Sequence, residues 1–126
     1  MTNVDTQYAI GEMKNGVLAV TIVPLQVREA ALAYSLRDEI IALVDSSQTR
    51  DLVLDVRNLE FVGSVGLLAF LAVRRHLGGG RIVICNLSPT VREVFAVCQL
   101  ISTDGAKVAP FEAEVTLEAA LTRLAA

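Results

Sequence analysis

The chain has 126 residues, of which 53% are apolar and 20% charged, and its formal net charge at pH 7 is −3. This length is enough to bury one hydrophobic core, so we expect a single domain over residues 1–126, and the apolar content excludes a disordered chain. The scattered Lys and Arg give no basic patch for nucleic acid, and the charge-free apolar stretch Phe61–Val73 is shorter than the ~20 residues of a membrane span.

The first half of the chain is predicted to form a β-hairpin, a helix and a buried strand. Asn15-Gly16 lies between two strand-like segments and suits the positive φ angles of a tight hairpin turn. Apolar residues recur every three or four positions over residues 28–44, which predicts a helix closed by residues 45–47. Residues 51–56 are typical of a central strand covered on both faces, and a loop is expected over residues 57–60.

A second helix is predicted to begin at Ser64. The segment Ser64–His76 has helical length and composition, and Gly78-Gly79-Gly80 supplies a stop that permits left-handed backbone. The following residues, "RIVIC" at 81–85, are predicted to form the next buried strand.

The last part of the chain is predicted to hold two more helices. Ser88-Pro89 fits the cap and first position of a third helix. Val108-Ala109 is expected to form a short strand before a helix from about Glu112 to Leu124. Strands that alternate with helices favour right-handed crossovers. The sequence therefore predicts an α/β fold with a mixed, largely parallel sheet of four or five strands and about four helices.

The residues that most often bind metals are sparse in this sequence. Cys85 and Cys98 lack the close spacing of a metal-binding pair, and the only histidine, His76, makes no ligand pattern with them, so we expect no metal and no cofactor. Both cysteines have apolar neighbours and are expected to be small buried hydrophobes, with a redox role as the alternative. Residues 1–5 show no secretory signal pattern, so we expect a cytoplasmic protein without membrane insertion.

Ser64 has two compatible roles at the start of its helix. Its oxygen can accept a hydrogen bond from a free N–H of the first turn, as an N-cap. The same N–H groups and the positive end of the helix dipole favour a phosphate attached there. Gly63 and Gly66 leave the serine less shielded by neighbouring side chains.

A catalytic role for Ser64 is poorly supported. "GSVG" lacks the G-x-S-x-G pattern of a nucleophile elbow and the Lys of a P-loop. His76 lies twelve residues along the same helix, roughly 18 Å away at ~1.5 Å per residue. We therefore expect no enzymatic activity.

The helix that follows Ser64 is apolar nearly all round. Val65 and Leu68 lie on one helical stripe, whereas Leu67 and Phe70 lie on other sides. One face can pack on the sheet, and unless neighbouring helices cover the rest, an apolar patch remains near Ser64. Such patches often mark partner surfaces, although a fully buried helix is the alternative.

The stretch "LVLDVRNLEFVGSVGLLAFLAVRRHLGGGRIVICNLSPTVREVFAVCQL" resembles the STAS domain, and within that family the anti-sigma factor antagonists of bacteria. The resemblance extends over about Val17 to Leu124. It implies a phosphorylation site at Ser64, in a loop that typically reads D-S-S-G or D-S-T-G in the family and closes at Gly66 here. In this chain Gly63 replaces the Asp and Val65 the second hydroxyl, and "VPLQVRE" stands where the family usually has G-E-L-D.

The resemblance implies a regulatory module that binds an anti-sigma factor of the histidine-kinase-like ATPase type and so releases a sigma factor. The expected partner-binding residues are Gly63, Ser64, Val65, Gly66 and Leu67. Phosphorylation of Ser64 by that kinase would switch the module off, and a phosphatase would restore it. The alternative is a phosphorylation-independent subunit of a lipid-transport ABC complex or a stress-signalling scaffold, to which the changes at positions 63 and 65 lend support.

Overall fold

The computed structural model describes residues 6–102 and 108–125. The helices are α1 (Ala30–Ser47), α2 (Ser64–Leu77), α3 (Pro89–Val97) and α4 (Leu117–Ala125). The strands are β1 (Ala9–Lys14), β2 (Val17–Ile22), β3 (Gln26–Val27), β4 (Leu52–Asp55), β5 (Phe61–Val62), β6 (Ile82–Cys85) and β7 (Glu112–Glu114). The predicted α/β class is confirmed.

The main sheet has five strands in the order β1-β2-β4-β6-β7. Only β1 runs antiparallel to its neighbour, and the other pairings are parallel. The side chains of β4 alternate between the two faces: Leu52 and Leu54 pack in the core shared with α1, α2 and α3, whereas Val53 packs with Ala120 and Leu121 of α4. Both faces of β4 are therefore covered, which explains its nearly continuous apolar sequence.

The predicted β-hairpin is confirmed. Asn15 (φ 54°) and Gly16 (φ 79°) form its turn, and Lys14 stands opposite Val17. Positive φ at both turn residues matches the right-handed twist of the flanking strands, which is why this dipeptide is a strong hairpin signal.

Helix α1 starts two residues later than predicted and continues through the segment expected to close it. It runs to Ser47, and Gln48 ends it in the left-handed region (φ 55°), with its N–H donating to the carbonyl of Val44. Asp45 remains within the helix and contacts His76 of α2 (Oδ1 to Nε2, 2.7 Å). The polar segment thus extends the helix by one turn.

The structure contains a second, two-stranded sheet that the sequence does not predict. Gln26 and Val27 of β3 pair in parallel with Phe61 and Val62 of β5, respectively. Strands of two residues are too short to show a period-two pattern, which is why only a loop was expected before Ser64. This small sheet joins the chain before α1 to the chain before α2.

The expected strand at Val108-Ala109 is wrong, because the last strand is β7, inside the segment predicted as helix. Helix α4 begins only at Leu117, after Thr116, whose Oγ1 accepts a hydrogen bond from the N–H of Ala119 at 3.1 Å. Thr116 is a typical capping residue in the sequence, but apolar residues lie on both sides of it. The start of α4 could therefore not be placed from the apolar pattern.

Ion pairs explain why an acidic segment forms the edge strand β7. Arg81 contacts Glu112 (Nη2 to Oε1, 2.6 Å), and Arg123 contacts Glu114 (Nε to Oε2, 2.6 Å). Charged side chains are common on edge strands, where they discourage pairing with other chains. The ion pairs therefore accompany the parallel pairing of β7 with β6 and the packing of Ala113 against the core.

The predicted cap of α3 is confirmed, since the hydroxyl of Ser88 accepts a hydrogen bond from the N–H of Val91 at 3.2 Å. Cys85 is buried, as expected. The expected burial of Cys98 is wrong, because α3 ends at Val97 and the cysteine that follows is exposed at the end of the helix. Both cysteines are free thiols.

Candidate functional site

Ser64 is the first residue of α2 and is exposed. The interpretation of Ser64 as the N-cap is wrong: Gly63 occupies that position, with φ −90° and ψ −177°, and its carbonyl accepts hydrogen bonds from Gly66 and Leu67. The helix therefore begins one residue earlier than a serine cap would require. This leaves the hydroxyl-bearing side chain at the surface beside the first turn.

Backbone hydrogen bonds to the chain before α1 hold the segment that leads to Ser64. The N–H of Gly63 donates to the carbonyl of Val27 at 2.9 Å, and the N–H of Glu60 donates to the carbonyl of Leu25 at 2.7 Å. Together with the β3–β5 pairing, these bonds fix the backbone on the N-terminal side of Ser64. The backbone that leads into Ser64 is thus held in place by hydrogen bonds to the chain before α1.

The buried carboxylate of Asp55, at the end of β4, orders the loop that precedes this segment. Its Oδ1 accepts hydrogen bonds from the N–H of Arg57 (3.1 Å) and Nδ2 of Asn86 (3.0 Å). Its Oδ2 accepts from Nε (2.9 Å) and Nη2 (2.5 Å) of Arg57. Burial alone would raise the pKa of Asp55, but these hydrogen bonds outweigh it and hold the pKa below its ordinary value.

The five residues expected to bind a partner differ in accessibility. Ser64 is exposed and Gly63 and Val65 are half-buried, whereas Gly66 is buried and Leu67 is only 7% exposed. Leu67 packs in the main core. The structure therefore brings Ser64 and its immediate neighbours to the surface, but not the last two residues of the set.

Of the two alternatives left open for α2, an apolar patch near Ser64 and a fully buried helix, the structure shows the patch. Leu68 is 63% exposed and lies one helical turn after Ser64, on the same side of α2. Phe61 of β5 is 38% exposed, and Leu25, whose carbonyl accepts the N–H of Phe61, is 57% exposed. These three side chains leave large apolar groups open to solvent around the serine.

Arg28 completes this region, since its guanidinium carbon lies 5.1 Å from the centroid of the Phe61 ring. We call Leu25, Arg28, Phe61, Ser64 and Leu68 the Ser64 surface. Sequence reasoning did not find Leu25 and Arg28, which are distant from Ser64 along the chain and reach it only through the β3–β5 pairing. It also gave no means to choose between Leu67 and Leu68 as the exposed leucine of an all-apolar helix.

His76 does not act as a base for the Ser64 hydroxyl, because the two residues lie at opposite ends of α2. The imidazole of His76 instead contacts Asp45 on α1. Over residues 6–102 and 108–125, no group of three or more His, Cys, Asp or Glu side chains is arranged to hold a metal ion. In the same ranges, none of the helices has the length and apolar character needed to cross a bilayer. The Ser64 surface thus presents an exposed hydroxyl, a guanidinium and three exposed apolar side chains.

Comparison with known proteins agrees with this geometry. The model of the STAS domain family matches residues 29–114, which is more than half of the chain. BtrV of Bordetella bronchiseptica, a candidate anti-sigma factor antagonist, is 39% identical over 75 residues, or 58% of this chain. The match spans 64% of the length of BtrV, which is less than two thirds of that protein.

Solved structures share the fold over nearly the whole chain. An anti-sigma factor antagonist from Mycobacterium paratuberculosis superimposes with a TM-score of 0.75 and 26% identity, covering 94% of this chain and 93% of that one. The unphosphorylated anti-sigma factor antagonist SpoIIAA, a Bacillus protein, superimposes with a TM-score of 0.71 and 23% identity, covering 93% and 96% respectively. The chain belongs to the STAS domain family.

Proposed function

We propose that this protein is an anti-sigma factor antagonist that binds an anti-sigma factor through the Ser64 surface and thereby releases a sigma factor. The observation that carries the proposal is the exposed hydroxyl of Ser64 among exposed apolar side chains, on a scaffold of the STAS family. The function named for BtrV and for the Mycobacterium paratuberculosis protein supports it. The protein acts in the cytoplasm by binding, with no catalytic turnover of its own.

Phosphorylation of Ser64 switches this binding off in the proposed mechanism. A phosphate adds about −1.5 to −2 charges at neutral pH. When it is placed among Phe61, Leu68 and the partner's own side chains, it opposes contact because a charged group must lose water there. A loss of only about 1.4 kcal/mol weakens a complex tenfold, so the switch requires no change of fold.

The anti-sigma factor in this proposal is an ATPase of the histidine-kinase type that phosphorylates Ser64, and a phosphatase reverses the modification. The test is intact-mass spectrometry after incubation with ATP and the anti-sigma kinases encoded in the same genome. Wild type should gain one phosphate and Ser64→Ala none. Ser88→Ala is a matched control, because Ser88 is also a hydroxyl at a helix start but already caps α3.

Binding is measured in parallel with the same kinases, without ATP. Unmodified protein should form a complex, and the phosphorylated form should bind at least about tenfold more weakly. The proposal fails if none of these kinases binds the unmodified chain.

A second candidate function follows from Gly63 and Val65, which stand where the family pattern has an acid and a second hydroxyl. A chain that binds such a kinase but never gains a phosphate would be a phosphorylation-independent binding module. It would then serve as a subunit of a lipid-transport complex or a signalling scaffold.

A further inference from the structure

Arg28 is the cation of the Ser64 surface, and no carboxylate of the described residues pairs with it. Arg57, Arg81 and Arg123 each contact a carboxylate of the chain. Within residues 6–102 and 108–125 five arginines form no ion pair, and Arg28 is the one of these that stacks on an aromatic ring; the others are Arg50, Arg74, Arg75 and Arg92. The polar contact of Arg28 is with the neutral side chain of Gln26, whose Oε1 accepts a hydrogen bond from Nη1 at 3.5 Å.

The ring of Phe61 holds the Arg28 side chain in place. A guanidinium stacks on an aromatic face through cation–π attraction, and it is more weakly hydrated than an ammonium group. Stacking also restricts the arginine before any partner arrives, which reduces the entropy lost on binding. Stacked arginines of this kind are frequent among the residues that dominate binding energies.

The Arg28–Phe61 pair lies directly beside the loop that carries the serine. A Cβ atom on residue 63 would be 3.7 Å from Cε2 of Phe61 and 4.0 Å from Cα of Arg28. Leu25 and Leu68 provide exposed apolar side chains in the same region. A partner that covers Ser64 and these leucines would therefore also remove water from the guanidinium.

A covered guanidinium needs an anion, because loss of water from an unpaired charge is costly. Two exposed acids lie close to this region: Glu29 follows Arg28 directly in the sequence, and Glu60 donates its N–H to the carbonyl of Leu25. Within the described residues, neither of their carboxylates forms an ion pair with the Arg28 guanidinium. We propose that Arg28 is a specificity-determining residue and that the partner presents a carboxylate side chain to it, flanked by apolar groups that pack on Phe61 and Leu68. This inference rests on the proposed function and names the chemistry of the partner's contact.

The test is the affinity of the unphosphorylated protein for the anti-sigma kinase that binds it, with Arg28→Gln as the variant. We expect a loss of affinity of about thirtyfold. Arg28→Lys keeps the charge but loses the planar stack. Its affinity should therefore lie between that of wild type and that of Arg28→Gln. Arg50→Gln is the matched control: it is also exposed, but it lies before β4, at the end of the sheet opposite to Ser64, and should change affinity by less than about twofold.

The dependence of affinity on salt provides a second readout. Since an ion pair is screened by salt, wild-type affinity should fall as ionic strength rises, and Arg28→Gln should show a clearly weaker dependence. The inference is overturned if Arg28→Gln binds like Arg50→Gln, or if it loses affinity but keeps the wild-type salt dependence. No binding by wild type to any of the kinases would overturn the proposed function and this inference together, whereas the first two outcomes leave the proposed function intact.

Discussion

Gly66 of α2 lies directly against Val62 of β5: a Cβ atom on residue 66 would be 2.5 Å from Cγ2 of Val62 and 3.0 Å from Cγ1 of Val27. Both valines are buried and β-branched, so their side chains have little freedom to move away. Only a glycine lets the start of α2 approach the β3–β5 sheet this closely. The approach brings Ser64 beside Phe61 and Arg28, which gives a physical reason for a glycine two residues after the serine.

Gly66→Ala should therefore destabilise the protein. Overpacking against the two valines costs about 1–3 kcal/mol, and the better helix propensity of alanine recovers only part of this. We expect a net decrease of about 1–2 kcal/mol in the free energy of unfolding, measured by urea denaturation. Leu68→Ala, an exposed position of the same helix, should stay within about 0.5 kcal/mol of wild type. Equal stability of Gly66→Ala and wild type would show that the valines can shift at no cost.

Gly63→Asp should have the opposite effect on stability. The φ angle of Gly63 is −90°, which any residue adopts, and the nearest atoms to a Cβ would be at 3.7 Å, an ordinary contact. A carboxylate at this N-cap position can accept a hydrogen bond from the first turn of α2 and lies at the positive end of the helix dipole. We expect the free energy of unfolding to rise by about 0.5–1 kcal/mol, of which the cap contributes a few tenths and the charge at the helix dipole the rest.

The control for this prediction is Gly63→Asn, which can cap the helix without a charge. Its gain in stability should not depend on salt, whereas part of the gain of Gly63→Asp should disappear at high salt because the dipole interaction is screened. Thermal unfolding at low and high salt measures both variants. A decrease in stability for both would indicate that the N-cap position does not accept a side chain.

The main elements could be predicted from the sequence because their signals are local. Asn15-Gly16 specifies a hairpin turn by its backbone preferences, and Ser88-Pro89 specifies a helix start by its capping chemistry. The pairing of β3 with β5 has no such signal, since it joins two-residue segments that are far apart along the chain. The sequence pattern therefore located β1, β2, β4, β6 and the four helices, but neither the edge strand β7 nor the small sheet that builds the site.

The candidate site was predicted only in part for the same reason. Ser64 was identified from its position between a strand and a helix, and its exposure agrees with that expectation. Arg28 becomes part of the site only through tertiary pairing. Leu67 and Leu68 are chemically identical neighbours, so only packing against the core decides which one a partner can reach.

Asp55→Asn tests whether the buried carboxylate supports the loop before Ser64. An asparagine cannot reproduce the ion pair with Arg57, whose Nε and Nη2 both donate to Oδ2 of Asp55. We expect the free energy of unfolding near neutral pH to fall by about 2 kcal/mol. Glu112→Gln, which weakens a more exposed pair with Arg81, should cost less than about 1 kcal/mol.

The stabilisation by Asp55 should also depend on pH. Its pKa in the folded protein is lowered, so the contribution is fully present above the unfolded pKa of about 3.9 and is lost as the pH falls through the folded value. The difference in stability between wild type and Asp55→Asn should therefore shrink between about pH 5 and about pH 2. Urea denaturation at several pH values measures it, and a difference that stays constant over this range would contradict an ionised Asp55 as its source.

The two cysteines should differ strongly in reactivity. Cys85 is fully buried in β6, and burial, followed by the nearby negative charge of Asp55, raises the pKa of its thiol to about 12. Since the thiolate is the reactive species, Cys85 should be nearly inert at about pH 8, whereas the exposed Cys98 should react with a disulfide reagent. We expect intact-mass spectrometry to show one adduct on wild type, one on Cys85→Ser and none on Cys98→Ser within the same reaction time. Two adducts forming at similar rates on the folded wild type would show that β6 opens to solvent, which is at odds with a central strand covered on both faces.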